Sequence, residues 1–358
     1  MIVVHMEPGK ASSIGVCGRM AGRARRRRGW SVESLRFELH RRSPPPAASP
    51  FVRLWAATFA IGALDGVWLA GLRATVEPLG FAVLAAAAAA LLAAGAFWTR
   101  VKREPILASM ALTTATLLAF TAAVSVLHYL LATLDRPLVD RRLAAFEVWL
   151  GFDWRAHLAF IEAHPTLARV LAVAYHSSGP QVALVVIALS ASRRFARLWR
   201  FIHLFAATLF AIVVVSSLFP AEGPYKFLAG VETATAGLET MGATWHLDAM
   251  RALRDGHVPA LALTDMRGLA TFPSFHVCLA LLTAWALAPV RGLGSSAVLL
   301  NAAVIVGTLT AGGHYLPDLI AGALIGVGAL AFPGLASRLR TNARVAAAGT
   351  GPSATAAE

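Results

Sequence analysis

The stretch Leu79–Thr99, LGFAVLAAAAAALLAAGAFWT, decides the fold class. It carries no charge and runs the ~20 residues that an α-helix needs to cross the hydrocarbon core of a bilayer. The alanines from Ala85 to Ala90 do not alternate with polar residues, which excludes a strand of a closed membrane barrel. Seven further apolar runs, near 51–72, 106–133, 167–191, 199–219, 271–289, 295–312 and 315–336, predict about eight spans in all. The whole chain follows suit, with 57% hydrophobic and 14% charged residues and a mean hydropathy of +0.64. Soluble domains carry about 25% charged residues, so a soluble enzyme and a disordered chain are both excluded. The fold class read from these runs is an all-α, polytopic membrane helix bundle.

The net charge of +13 and pI of 11.1 would suggest nucleic acid in a soluble chain. Here the charge has another place. Residues 1–50 hold ten Lys+Arg against three Glu, with Arg23, Arg25, Arg26, Arg27 and Arg28 close together, and Pro44, Pro45, Pro46 and Pro50 end the segment. A basic tail ahead of a first span stays in the cytoplasm and contacts anionic lipid; no nucleic-acid partner is expected. No apolar signal-peptide core precedes the first span, and Cys17 and Cys278 make no disulfide or metal framework. With both termini inside, the inner segments collect 21 Lys+Arg and the outer ones 9. This positive-inside bias places the 220–270 loop and His314 at the periplasmic or extracellular face. The 220–270 segment reads as a partly ordered external loop. The 137–164 piece, with Trp149, Phe152, Trp154 and Phe160 among charges, reads as a helix lying in the interface.

Three islands share that outer depth: Phe219–Lys226, Thr271–His276 and Thr310–Asp318. Lys226 can hold a phosphate as a point charge. Ser274 and backbone N–H groups at a helix start can donate to phosphate oxygens. His276 can give or take a proton near neutral pH. His314 and Asp318 are four apart, so on a helix they would face each other, and a carboxylate beside an imidazole fixes its tautomer and supports its cation. Gly312 and Gly313 allow close backbone approach. Each piece has a plain structural reading as well: Ser274 as a helix N-cap, Lys226 as a snorkelling anchor, His276 as a satisfied interfacial residue. It is the conjunction at one depth that points to chemistry, since burying ionisable groups at a span end is costly. His128, Tyr175 and His176 lie near outer span ends and are candidates to line a pocket. Asp65 is an intramembrane acid, and Gly322-x-x-x-Gly326 reads as small-residue helix packing.

Phe272-Pro273-Ser274-Phe275-His276 resembles the second signature of the type 2 phosphatidic acid phosphatase superfamily, and His314-Tyr315-Leu316-Pro317-Asp318 resembles its third. The forms Phe-Pro-Ser-x-His and His-Tyr-x-x-Asp are most similar to its inositolphosphotransferase-like (aureobasidin-resistance-like) branch. The resemblance covers about 135–336. It implies a metal-independent phosphoryl transfer with no cofactor, through a phosphohistidine. His314 would be the nucleophile, Asp318 its partner, His276 the acid for the leaving oxygen, and Ser274 a phosphate ligand. Lys226 is the best match to the first-motif cation. The arginine that often stands six residues before the nucleophilic histidine is Thr308 here, with Arg267 as the candidate substitute. The implied architecture is a six-helix phosphatase-type catalytic core plus N-terminal spans. The chain would divide into a basic cytoplasmic tail (1–50), N-terminal membrane spans (51–133), a catalytic membrane core (134–336) and a cytoplasmic C-terminal tail (337–358).

The expected activity is a membrane phosphatase acting on lipid or lipid-linked phosphate esters at the outer leaflet, with a lipid head-group phosphotransferase as the alternative. A non-catalytic transporter or scramblase would show intramembrane charges at corresponding positions of two halves. Among the acids only Asp65 and Asp318 fall within spans, and no internal symmetry is evident. The topology has a direct check. Cysteines introduced singly at Ala236 and Thr350, in a background without Cys17 and Cys278, should be labelled from opposite faces, Ala236 outside and Thr350 inside; labelling from one face would overturn the eight-span arrangement.

Overall fold

The computed structural model describes residues 50–229, 241–257 and 260–349. The basic N-terminal tail, the 230–240 part of the external loop and residues 350–358 lie outside them. Thirteen α-helices run through the described residues. The N-terminal hairpin is α1 (Pro50–Leu72) and α2 (Pro78–Phe97), and α3 (Pro105–Ala132) follows. Two short helices come next, α4 (Asp140–Trp149) and α5 (Trp154–Glu162). A pair bent by 50° is formed by α6 (Pro165–His176) and α7 (Ser178–Ala191), before the long α8 (Phe195–Leu218). A surface segment carries α9 (Met241–Thr244) and α10 (Leu247–Arg254). The chain ends in α11 (Phe275–Leu287), α12 (Gly294–Thr308) and α13 (Leu316–Gly349). Proline opens α2, α3 and α6, where its missing N–H costs nothing and its fixed φ suits a first turn.

Each predicted span corresponds to a helix or, for the fourth, to the bent pair, but the lengths differ. Among the described residues, four helices are long and apolar enough to cross a membrane, or five with α6–α7 taken as one. By contrast α11 has 13 residues and α12 has 15. The reason lies at the ends. Residues 271–274 and 309–315, expected at or beside span ends, are non-helical and pass through the protein interior. Irregular backbone near membrane depth is tolerated when buried in protein. At its other end α13 continues to Gly349 rather than stopping near 336.

The core gathers α3, α7, α8 and α11, with Phe201, Leu198, Ile212, Leu282 and Leu287 fully buried among them. α3 packs both on the N-terminal α1 and α2 and on α7 and α8. The first two helices bury little of themselves and present Phe59, Val67 and Val83 outward, as a lipid-facing hairpin would. Polar side chains tie the interior: Thr283 Oγ1 donates to Asn301 Oδ1 (2.8 Å) and Asn301 Nδ2 donates to Gln181 Oε1 (2.7 Å), linking α11, α12 and α7. Interhelical bonds of this kind hold helices together where no hydrophobic difference separates protein from lipid. Asp65 is 4% exposed, and its Oδ1 meets no hydrogen-bond partner among the described residues.

The segment after α8 contains the amphipathic α10, whose Leu247, Met250 and Leu253 are buried; the latter two pack against α3 residues Val126, Tyr129 and Leu130. One expectation is revised. The 137–164 piece is two helices rather than one interfacial helix, and its aromatics divide: Trp149 is 75% exposed, but Trp154 is 1% exposed and its Nε1 donates to the Leu309 carbonyl.

Small residues set the closest packing. A Cβ at Gly322 would lie 2.2 Å from the Ser274 carbonyl oxygen, so α13 rests directly on the start of α11. Gly326 continues that contact against Cys278. Gly322→Ala should therefore destabilise by about 1–3 kcal/mol through overpacking, read as a lower unfolding midpoint in detergent. Gly328→Ala, with nothing within 4 Å of its would-be Cβ, should leave the midpoint unchanged or raised.

Candidate active site

The three islands meet at one end of the bundle. His314 does not stand on a helix with Asp318, as the spacing suggested; it precedes α13 in a turn that passes through Gly313 at φ +62°. The pair forms all the same. His314 Nδ1 is 3.2 Å from Asp318 Oδ2, and that oxygen also accepts the Tyr315 N–H at 2.9 Å, capping the helix start. Gly313 is required twice over, by its positive φ and because a Cβ there would lie 2.5 Å from Ala243. Both partners are sequestered, His314 at 3% and Asp318 at 0% exposure.

The second island is bolted to the third through the backbone, since Ser274 N–H donates to the Asp318 carbonyl (3.0 Å). Ser274 is the N-cap of α11, accepting from Val277 N–H, and its Oγ also lies 3.4 Å from His314 Nε2. The N-cap role and the place beside His314 therefore fall on one serine. His276, one residue into α11, stacks on Tyr175 at 4.3 Å between ring centroids, with the tyrosine hydroxyl 3.4 Å from its Nδ1.

A cavity of about 220 Å³ lies over these groups. His314, His276, Tyr175, Gly312, Thr271, His246, His128 and Arg267 line its polar side, and Val124, Leu209, Ile212, Val213 and Phe275 its apolar side. Thus His276, His314 and Arg267 share one cavity, with Ser274 directly behind His314. Lys226 is not among the lining residues; it is half-buried in the π-helical turn Tyr225–Ala229. His128 and Tyr175 do line the cavity, whereas His176 and Asp65 do not. Thr308 is fully buried and donates to the Val304 carbonyl of its own helix.

This arrangement was built by residues the sequence reading passed over. Asp140 (3% exposed) accepts the Gly223 N–H (2.8 Å) and the Tyr315 hydroxyl (3.1 Å) on Oδ1, and the Glu222 N–H (3.0 Å) on Oδ2. Glu147 (2% exposed) accepts the Leu316 N–H at 2.9 Å. So α4 fastens the first island to the third. A signal was present: Asp140 and Glu147 are seven apart, two turns along one helical face. His246 had none. It is 5% exposed, its ring hydrogen-bonds the Glu222 carbonyl, and its Nε2 lies 3.4 Å from Thr271 Oγ1.

A family model described as the PAP2 superfamily matches residues 141–332, more than half of the chain. The chain belongs to the PAP2 superfamily. Among curated proteins and solved structures, no match is found. The PAP2 match begins within α4 and ends within α13, so it takes in all three islands and the α4 brace from its second residue on.

Electrostatics in this PAP2 site follow burial. The pKa of His314 is pushed down to about 4, with the Thr271 carbonyl opposing the shift, so its imidazole is neutral at pH 7. Burial, with the neighbouring His314, likewise takes His246 down to about 4. Burial raises Asp140, against the N–H groups it accepts. Glu147 goes up to about 7 by burial, against the Leu316 N–H and with the Asp318 and Asp153 charges adding. Among the described residues, no group of three His, Cys, Asp or Glu side chains is placed to hold a metal ion. The Glu147 shift gives a stability prediction. Between its ordinary 4.5 and about 7 the folded chain holds a proton that the unfolded chain releases, so stability falls as pH rises through that window. Glu147→Gln should flatten that slope in unfolding midpoints measured from pH 4.5 to 7.5, while its amide oxygen keeps the Leu316 bond.

Proposed function

We propose that the chain is an integral membrane phosphatase that cleaves phosphate esters of lipids or lipid-linked groups at the outer face through a phosphohistidine on His314. The observation that carries this reading is the His314 ring held between Asp318 at Nδ1 and Ser274 beside Nε2, in one cavity with His276. PAP2 superfamily membership supports phosphoester chemistry of this general kind.

The residues would divide the work as follows. Asp318 accepts the Nδ1 proton, which leaves the Nε2 lone pair toward Ser274 and the cavity. Nε2 attacks phosphorus in line, the bond to the ester oxygen breaks, and that oxygen takes a proton from His276. His276 would act as the imidazolium, its Nδ1–H donating to the Tyr175 hydroxyl and its Nε2–H giving that proton, which leaves the neutral ring that serves as base in the next step. Water then attacks phosphorus, His276 takes a proton from it, the P–N bond breaks and its electron pair returns to His314. Ser274 and Arg267 meet the charge of the phosphoryl oxygens, which are best stabilised by donors already in place. The mixed lining, imidazoles and Arg267 on one side and aliphatics of α3 and α8 on the other, suits an ester whose other part is apolar. An alcohol in place of water would give head-group transfer from the same intermediate.

His314→Ala should abolish both turnover and any acid-quenched phosphoenzyme. His276→Ala should slow poor leaving groups by about 10²–10⁴ and nitrophenyl phosphate far less, because an activated leaving group needs little protonation. Asp318→Asn should fall between them. The assay is phosphate release, beside transfer to an added alcohol, from a panel of lipid phosphates with equal protein in membranes. Wild-type turnover in His314→Ala would overturn the mechanism.

A further inference from the structure

The cation that the site needs is supplied outside the three islands, and it needs holding. Thr308 offers no charge, and Lys226 stands off the cavity wall. Arg267 does line the cavity, on an exposed segment before α11. Its backbone N–H is anchored, donating to the Tyr129 hydroxyl of α3 at 2.7 Å. Its guanidinium meets no carboxylate within ion-pair range among the described residues, whereas Arg251 and Arg254 of α10 are paired with Glu222 (3.2 Å) and Asp135 (2.7 Å). Instead it lies over the ring of Trp245, 5.0 Å from Cζ to centroid. Trp245 lines the same cavity and is 43% exposed at its mouth.

An aromatic face and a carboxylate hold an arginine in different ways. A carboxylate neutralises the guanidinium and occupies its N–H fork. An aromatic face fixes the plane, adds cation–π attraction and leaves the in-plane donors free for an anion. The geometry points to Trp245 as a positioning residue that presents Arg267, unneutralised, to the phosphoryl group of the substrate at the cavity mouth. Its place in the chain fits that role. Trp245 directly precedes His246, which is pinned to the Glu222 carbonyl and beside Thr271, and α10 behind it is buried against α3. The indole is thus carried on an anchored segment and reaches across to a cation anchored separately through Tyr129. The α9–α10 segment would thereby supply, from outside the signature motifs, the support for the charge that position 308 lacks.

This inference rests on the phosphoester reading, and the experiment separates the two. Binding of inorganic vanadate, a phosphate mimic, is measured by calorimetry on the purified full-length chain in detergent, beside kcat and KM for nitrophenyl phosphate. Trp245→Ala should weaken vanadate and raise KM by about 2–30-fold, the range of a ~0.5–2 kcal/mol cation–π contact, with kcat kept within about 2-fold. Trp245→Phe should restore most of the loss, and Trp245→Ala should add nothing in an Arg267→Ala background. Equal losses with and without Arg267, no loss in Trp245→Ala, or a fall in kcat at unchanged KM would overturn the assignment. So would a wild-type chain that binds no vanadate. A wild-type chain that binds vanadate but releases no phosphate from any ester would instead overturn the phosphatase reading, and the binding cycle would still test Trp245.

Discussion

Asp318 is the point on which the site hangs. Its carboxyl is wholly buried, and a buried carboxyl must find donors or carry a large penalty. One oxygen accepts from the Tyr315 N–H and faces His314 Nδ1, while the residue's own carbonyl accepts from Ser274 N–H. A single residue therefore caps α13, orients the histidine and joins two islands that lie forty residues apart along the chain. The same economy fixes Gly322 one turn further on: the junction of α11 and α13 is so close that no side chain fits between them. The other carboxyl oxygen of Asp318, Oδ1, meets no hydrogen-bond partner among the described residues, so the precision of the site follows from how Oδ2 and the Asp318 carbonyl are held in a confined space.

The α4 helix extends that logic outward. Asp140 and Glu147 spend their oxygens on backbone N–H groups of the first and third islands, and Tyr315 donates its hydroxyl back to Asp140. Loops that carry catalytic groups need rigid supports, and hydrogen-bonded buried carboxylates give rigidity that apolar contacts alone do not. Burial also sets the resting chemistry. His314 and His246 stay neutral because their charged forms would be desolvated. A neutral imidazole keeps the lone pair that the proposed attack by His314 on phosphorus requires.

Helix length and function are linked in the same way. The helices that build the site, α11 and α12, are short because the chain unwinds at 271–274 and 309–315 to place Ser274 and His314 inside the protein. The longer, lipid-facing α1 and α2 carry no residue of the cavity wall. Scaffold and site are thus distinguishable along the chain, with α3 and α8 serving both by supplying core residues and the apolar side of the cavity.

Composition and run length by themselves determined the class of this protein. A stretch such as Leu79–Thr99 has nowhere to be but a membrane helix, because only intrahelical hydrogen bonds satisfy the backbone in hydrocarbon. The paired motifs also carried the superfamily, since Phe272–His276 and His314–Asp318 are local patterns. What only the tertiary structure decided was everything that depends on distant segments meeting. The His314–Asp318 pair is made by a turn and not by a helix face, because Gly313 and Pro317 set the backbone there. Asp140, Glu147, Trp245 and His246 joined the site from segments whose local sequence reads as surface. Lys226, three residues past Gly223 in an island that does reach the site, ended outside the cavity. Local patterns report on the residue's own helix or turn, whereas burial, partner choice and the direction of a side chain are fixed by whichever element packs against it.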